Sequence, residues 1–132
     1  MTPPLHGILL FAHGARDPAW ARPFEAIAAQ MRAAAPDCRI ALAYLELMHP
    51  SLDEAARLLI GQGCTALTVV PLFLGAGGHV RRDLPERVAA LQAAFPHITL
   101  RATSAIGEAD SVVRALALAA LELARSTQDE AP

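Results

Sequence analysis

Gly7-Ile8-Leu9-Leu10-Phe11-Ala12-His13-Gly14-Ala15-Arg16-Asp17-Pro18 is the stretch that decides the fold. Residues 7–12 are apolar without interruption, the pattern of a strand covered on both faces in a parallel sheet. A strand with one wet face would alternate instead. A polar turn follows at once, and Trp20, Phe24, Ile27 and Met31 then recur at helical spacing. That spacing predicts a helix running to about Ala35 and stopped before Pro36. Asp17 with Pro18 reads as its cap, but Pro23 would interrupt the first turns, so the start stays open. Strand, tight turn and helix make one βα unit.

The same unit recurs along the chain. Arg39 to Leu47 (RIALAYLEL) reads as the second strand. Ser51 and Glu54, three apart, form a capping box for the second helix, because each side chain satisfies a free backbone N–H. The glycines Gly61 and Gly63 end that helix. Ala66 to Pro71 is rich in β-branched residues and reads as the third strand. Leu72 to Gly78 is a glycine-rich loop. Asp83 and Glu86 repeat the cap spacing ahead of the stripe Leu84, Val88, Leu91 and Phe95. Ile98 to Ala102 is a short fourth strand, and Gly107 to Arg125 the last helix. Val112, Leu116, Ala119, Ala120 and Leu123 should pack that helix on the sheet, with Leu118 and Leu121 on its far side. The tail 126–132 is expected to fray.

Four βα units in a row predict a three-layer α/β/α domain over residues 1–132, with its core in 7–125 and a four-stranded parallel sheet. The expected strand order is 2-1-3-4, as in flavodoxin-like sheets. That order sets the ends of strands one and three side by side at the switch point, where such sheets bind ligands.

Composition narrows the function. Apolar residues make up 54% of the 132, and charged residues only 18%, which excludes a disordered chain. Eleven basic residues, all arginine, against 13 acidic ones leave no broad footprint for nucleic acid. No stretch approaches the roughly 18 uninterrupted apolar residues of a membrane span, and Met1 to Leu10 lacks the features of a signal peptide. Cys38 and Cys64 are too far apart for a CxxC site, and free thiols fit a reducing, cytoplasmic setting. So much apolar content in so small a domain also suggests surface that seeks a partner chain.

Three polar residues stand at strand ends that share one crevice. His13 follows strand one, Glu46 lies at the end of strand two, and His79 closes the loop after strand three. Two imidazoles and a carboxylate suit a borderline divalent ion such as cobalt, nickel or iron. The same groups accept protons near neutral pH. Arg16, Arg81 and Arg82 bring positive charge to the crevice mouth, suited to a ligand with carboxylates. Leu72, Phe73 and Leu74 offer an apolar wall. Gly75 to Gly78, with Gly77 and Gly78 nearest His79, lacks both the GxxxxGK[ST] and GxGxxG patterns, although an anion fits such N–H groups. His6 and His97 fall at the opposite end and read as surface residues, and His49 as auxiliary. The bland alternatives are a turn histidine, a capping histidine and a solvated glutamate.

The motif 9–18, LLFAHGARDP, resembles the opening motif of the small CbiX-type sirohydrochlorin chelatases. Leu45-Glu46-Leu47-Met48 with Pro50-Ser51-Leu52 is similar to their second motif. Val70 to Leu74 with Gly78 to Pro85 is similar to their third, in the same order and at the same spacing. The resemblance spans about residues 7–125. It implies a class II chelatase lobe that inserts cobalt, iron or nickel into sirohydrochlorin for cobalamin or sirohaem, a lyase reaction. The metal is then a substrate, and no cofactor is tightly bound. His13 and His79 would be the paired histidines and Glu46 the acid, holding metal or taking protons. Arg16, Leu72, Phe73, Gly77, Gly78 and Arg81 would contact the tetrapyrrole. The short members of the family work as homodimers. Ala15 departs from the serine of many relatives, which removes one possible hydroxyl contact. Two other readings compete: a tetrapyrrole or metal carrier without turnover, and a phosphate or flavin binder using Gly75 to Gly78.

Overall fold

A computed structural model describes residues 4–75 and 77–130, the side chains of His79, Asp129 and Glu130 excepted. Strands β1 (Leu5–Ala12), β2 (Arg39–Tyr44), β3 (Cys64–Pro71) and β4 (Thr99–Ala102) form one parallel sheet in the order β2-β1-β3-β4. Helices α1 (Arg22–Ala34), α2 (Leu52–Gly61), α3 (Gly78–Ala94) and α4 (Asp110–Glu130) follow the strands in turn. The apolar run of β1 is central: Leu10 stands beside Leu42 of β2 and Val70 of β3.

The two faces are covered by different helices. Leu9 and Phe11 of β1 and Leu67 and Val69 of β3 point to the face under α2 and α3, and all four are fully buried. Burying a side chain of that size stabilises the fold by about 1.5–3 kcal/mol. Ser51 and Glu54 form the expected capping box and aim α2 at this face. Cys64 is buried in the same core, and burial pushes its thiol up, so it stays protonated and inert. On the other face, α1 seals β1 and β2 through Ala28, Met31, Leu10 and Ile40. Pro23 does not interrupt α1, because Pro18–Ala21 forms a separate 3-10 turn and the helix starts at Arg22. A proline so close to a helix start removes an N–H that has no partner within the helix. Asp17 does cap the 3-10 turn, its carboxylate accepting from Ala19 N–H.

Three expectations need correction. β2 ends at Tyr44, not Leu47, because the backbone turns and Leu47 adopts a φ of +66°. α3 begins at Gly78, five residues before Asp83, with Pro85 inside the helix. The cap spacing of Asp83 and Glu86 is therefore incidental, and Gly77 is the N-cap. α4 does not pack on the sheet: Leu116 is 48% and Leu123 70% exposed, and its principal contact is the 3-10 turn Ile106–Glu108 that precedes it. The helix extends past Arg125 to Glu130, with Thr127 Oγ1 donating to the Leu123 carbonyl. No helix among the described residues is long and apolar enough to cross a membrane.

Candidate functional site

The carboxyl ends of β1 and β2 are joined beyond the strands themselves. Leu45 N–H donates to the Ala12 carbonyl at 2.9 Å, and Glu46 N–H to the His13 carbonyl at 3.1 Å. These two bonds draw the loop after β2 alongside the loop after β1. Gly14 makes the approach possible. Its φ is +95°, and a Cβ there would collide with the Glu46 carbonyl oxygen.

Side chains follow the backbone. His13 Nε2 lies 3.1 Å from Glu46 Oε1, and both side chains are about half exposed, at 54% and 55%. A carboxylate only accepts, so Nε2 carries the proton of this pair. Nδ1 then keeps its lone pair for a metal ion or a proton. A carboxylate behind an imidazole also orients the ring. The third wall is aromatic: the Phe73 ring meets His13 edge-on at 6.3 Å and Phe11 at 6.0 Å. Phe73 is held because Leu72 N–H donates to the Phe11 carbonyl and Gly107 N–H to the Phe73 carbonyl.

The structure thus brings His13, Glu46 and Phe73 together. Leu72 is half-buried behind them, packed on the α1 side of the core. His79 has its backbone in the first turn of α3, not in the loop, and its side chain lies outside the described residues. Among the described residues no three His, Cys, Asp or Glu side chains cluster as metal ligands. Arg16 stands exposed three positions beyond His13. Arg81 is exposed and reaches Glu108 at 3.5 Å. Gly77 and Gly78 open α3, with Gly77 extended at φ −65° and nothing crowding it.

Other histidines are committed elsewhere. His49 Nδ1 sits 3.0 Å from Glu54 Oε1, and that bond, together with those from Ser51, holds the Glu54 carboxyl below its ordinary range. It serves the start of α2 rather than the crevice. His6 is half-buried and bonded to Thr68 Oγ1 at 2.8 Å, so it is not the plain surface residue expected from its position.

Sequence reasoning missed the segment after β4. A cleft of about 450 Å³ opens between that segment and the start of α3, lined by Pro71, Arg81, Thr103, Ser104 and Glu108 among others. Gly107 closes against the β3–α3 loop so tightly that a Cβ would overlap the Leu74 backbone. A glycine shortly after a predicted strand was the available signal. A larger hollow, about 690 Å³, runs along the β2 edge between α1 and α2, where neither His13 nor Glu46 contributes. Convergent polar groups, not size, mark the strand-end crevice as the candidate site.

Comparison with known proteins shows the family. The CbiX family matches residues 7–123. The chain is 32% identical over 82 residues to the sirohydrochlorin cobaltochelatase of Sulfolobus acidocaldarius, covering 62% of this chain and 65% of the relative. The crystal structure of a CbiX protein from Marinobacter aquaeolei VT8 is 36% identical, with a TM-score of 0.76 over 96% of this chain and 99% of the other. The sirohydrochlorin chelatase SirB from Bacillus subtilis subspecies spizizenii, solved in complex with cobalt, is 28% identical with a TM-score of 0.74. That match covers 84% of this chain and 47% of SirB. The chain spans less than two thirds of the length of the curated relatives it matches first.

Proposed function

This chain belongs to the CbiX family, and from that premise we propose that it inserts a divalent metal ion, cobalt first among the candidates, into sirohydrochlorin. The observation that carries the proposal is the His13–Glu46 pair, 3.1 Å apart and half exposed at the carboxyl ends of β1 and β2. Insertion replaces two pyrrole N–H protons by one M²⁺ ion, so the site must present a metal ligand and a proton acceptor. His13 supplies the lone pair of Nδ1 for one of those tasks. Glu46 holds the ring and stabilises positive charge on it, whether from a proton or a metal. His79, at the start of α3, is the second imidazole of the set, and the other task falls to it. Imidazole and carboxylate suit cobalt, iron and nickel alike.

The tetrapyrrole is acidic and flat. Phe73 offers an apolar wall for its macrocycle, with Leu72 packed behind it. Arg16 and Arg81 are exposed cations for its carboxylate side chains, with Gly77 and Gly78 leaving the N-terminus of α3 open to the same anions. The reaction is redox-neutral and calls for no nucleotide or tightly bound cofactor. Two free cysteines suit a cytoplasmic enzyme. We read the working form as a homodimer, because α4 presents exposed apolar residues such as Leu116 and Leu123 that its own sheet does not cover.

The test is spectroscopic. Purified protein with sirohydrochlorin and Co²⁺, Fe²⁺ or Ni²⁺ should shift the pigment's absorption faster than the same mixture without protein. No acceleration with any of the three ions overturns the proposal.

A further inference from the structure

The loop after β2 carries a residue that its own fold does not account for. Among the described residues Leu47 is the one non-glycine with a positive φ, at +66°. That left-handed region crowds Cβ against the following carbonyl, so it favours glycine and, after it, asparagine and aspartate, whose side chains bond locally. A leucine has no such bond to set against the cost. Nor is it held by the core, since Leu47 is 59% exposed.

Exposure alone means little: Ile27 and Leu58 are exposed as well. Those two lie within α1 and α2, in regular helix. Leu47 joins exposure to an unfavourable backbone, a combination that persists only where the surroundings fix it. Here they do. Tyr44 N–H donates to the Pro50 carbonyl at 2.9 Å and closes the loop at its base, while Glu46 N–H donates to the His13 carbonyl at 3.1 Å. Leu47 thus stands one residue beyond the carboxylate that meets His13.

The opposite side of the crevice has a counterpart. Phe73 meets the His13 ring edge-on, and Leu74, the next residue, is 70% exposed. Its backbone is pinned by Gly107, where a Cβ would overlap it. Two exposed leucines therefore each stand one residue from a partner of His13, on backbone that is held in place. Apolar groups offered on both sides of reacting polar groups suit a ligand with broad apolar faces and polar atoms at its centre.

We infer that Leu47 is a substrate-binding residue, packing on the macrocycle from the Glu46 side as Leu74 does from the Phe73 side. The left-handed turn keeps its side chain out of the core and available to a ligand. The inference rests on the tetrapyrrole reading and adds to it an apolar contact on the β2 side. Contact with a second copy of the chain is the competing explanation, and particle mass separates the two.

The test titrates sirohydrochlorin, without metal, into the full chain and follows the pigment's absorption. Leu47→Asn and Leu47→Gly suit the left-handed backbone and remove the apolar side chain. Both should weaken pigment binding about 5–20-fold, the cost of leaving the exposed part of a leucine unburied. Leu47→Met should bind within about two-fold of wild type, because it keeps an apolar side chain of similar volume. Leu47→Asn should not lower the urea unfolding midpoint, because asparagine accepts this φ. Wild-type affinity in both the Asn and Gly variants overturns the inference and leaves the proposed function standing. Weakened binding with a lower midpoint in Leu47→Asn also overturns it, since the leucine then serves the fold. So does weakened binding with a smaller particle mass in light scattering, since the leucine then serves contact between copies. A wild-type chain that neither binds sirohydrochlorin nor inserts metal overturns both.

Discussion

The two loop systems that frame the crevice are built on opposite plans. On the β1/β2 side, backbone hydrogen bonds extend the sheet past its strands, and Gly14 sits against the Glu46 carbonyl with no room for a side chain. On the β3/α3 side, Gly77 is open and extended, and the charged groups Arg81 and Glu108 meet loosely at 3.5 Å. Under the proposed function, the first side fixes the distance between the two groups assigned to the chemistry. The second would offer surface and charge that adapt to a large flat ligand. Chemistry needs positions held to a fraction of an ångström, whereas carboxylate recognition by exposed arginine tolerates movement.

The contrast can be broken most directly at His13. His13→Ala should lower turnover about 10²–10⁴-fold while sirohydrochlorin still binds, read as initial rate against pigment titration. Near-normal turnover would remove His13 from the chemistry. Gly14→Ala comes next. An L-residue at φ +95° facing the Glu46 carbonyl should cost at least about 2 kcal/mol in urea unfolding, and a loss below half that would mean the loops have slack. Glu46→Gln keeps the shape but removes the charge behind the imidazole, so activity should fall about 10–100-fold with an unchanged unfolding midpoint. Arg81→Ala tests the adaptable side. It should raise KM only a few-fold, as loss of an interaction worth up to about 1 kcal/mol would, and leave kcat alone. The smallest effect belongs to Gly77→Ala, within about 0.5 kcal/mol, because a weaker N-cap and a less flexible unfolded chain oppose each other. Equal losses at Gly14 and Gly77 would end the distinction between the two sides.

Much of this was legible in the residues. The apolar run 7–12 and the β-branched run 66–71 read correctly as central parallel strands, since length and apolar or β-branched content suffice for such short runs. Ser51 and Glu54 marked a helix start because a capping box is a local chemical bond. The identical spacing at Asp83 and Glu86 marked nothing, because the helix had already begun at Gly78. Spacing alone does not say whether a backbone N–H is still free. His13 and Glu46 were found from their place after the strands, but the bond between them depends on two backbone contacts and one glycine φ that no periodicity records. His6 was misjudged for a similar reason: Thr68, its partner, is 62 positions away.

The sequence by itself determined the βα alternation, the direction of the strands and the end of the sheet at which polar residues gather. Those follow from local hydrophobic period and from the handedness of crossovers. Tertiary structure decided the distances within the site and the fate of α4. Its apolar arc is plain in the sequence, but an amphipathic helix states only that it needs cover. Whether that cover comes from its own sheet depends on the direction in which Gly107 and its neighbours launch it, and that direction is set by packing between segments more than thirty residues apart.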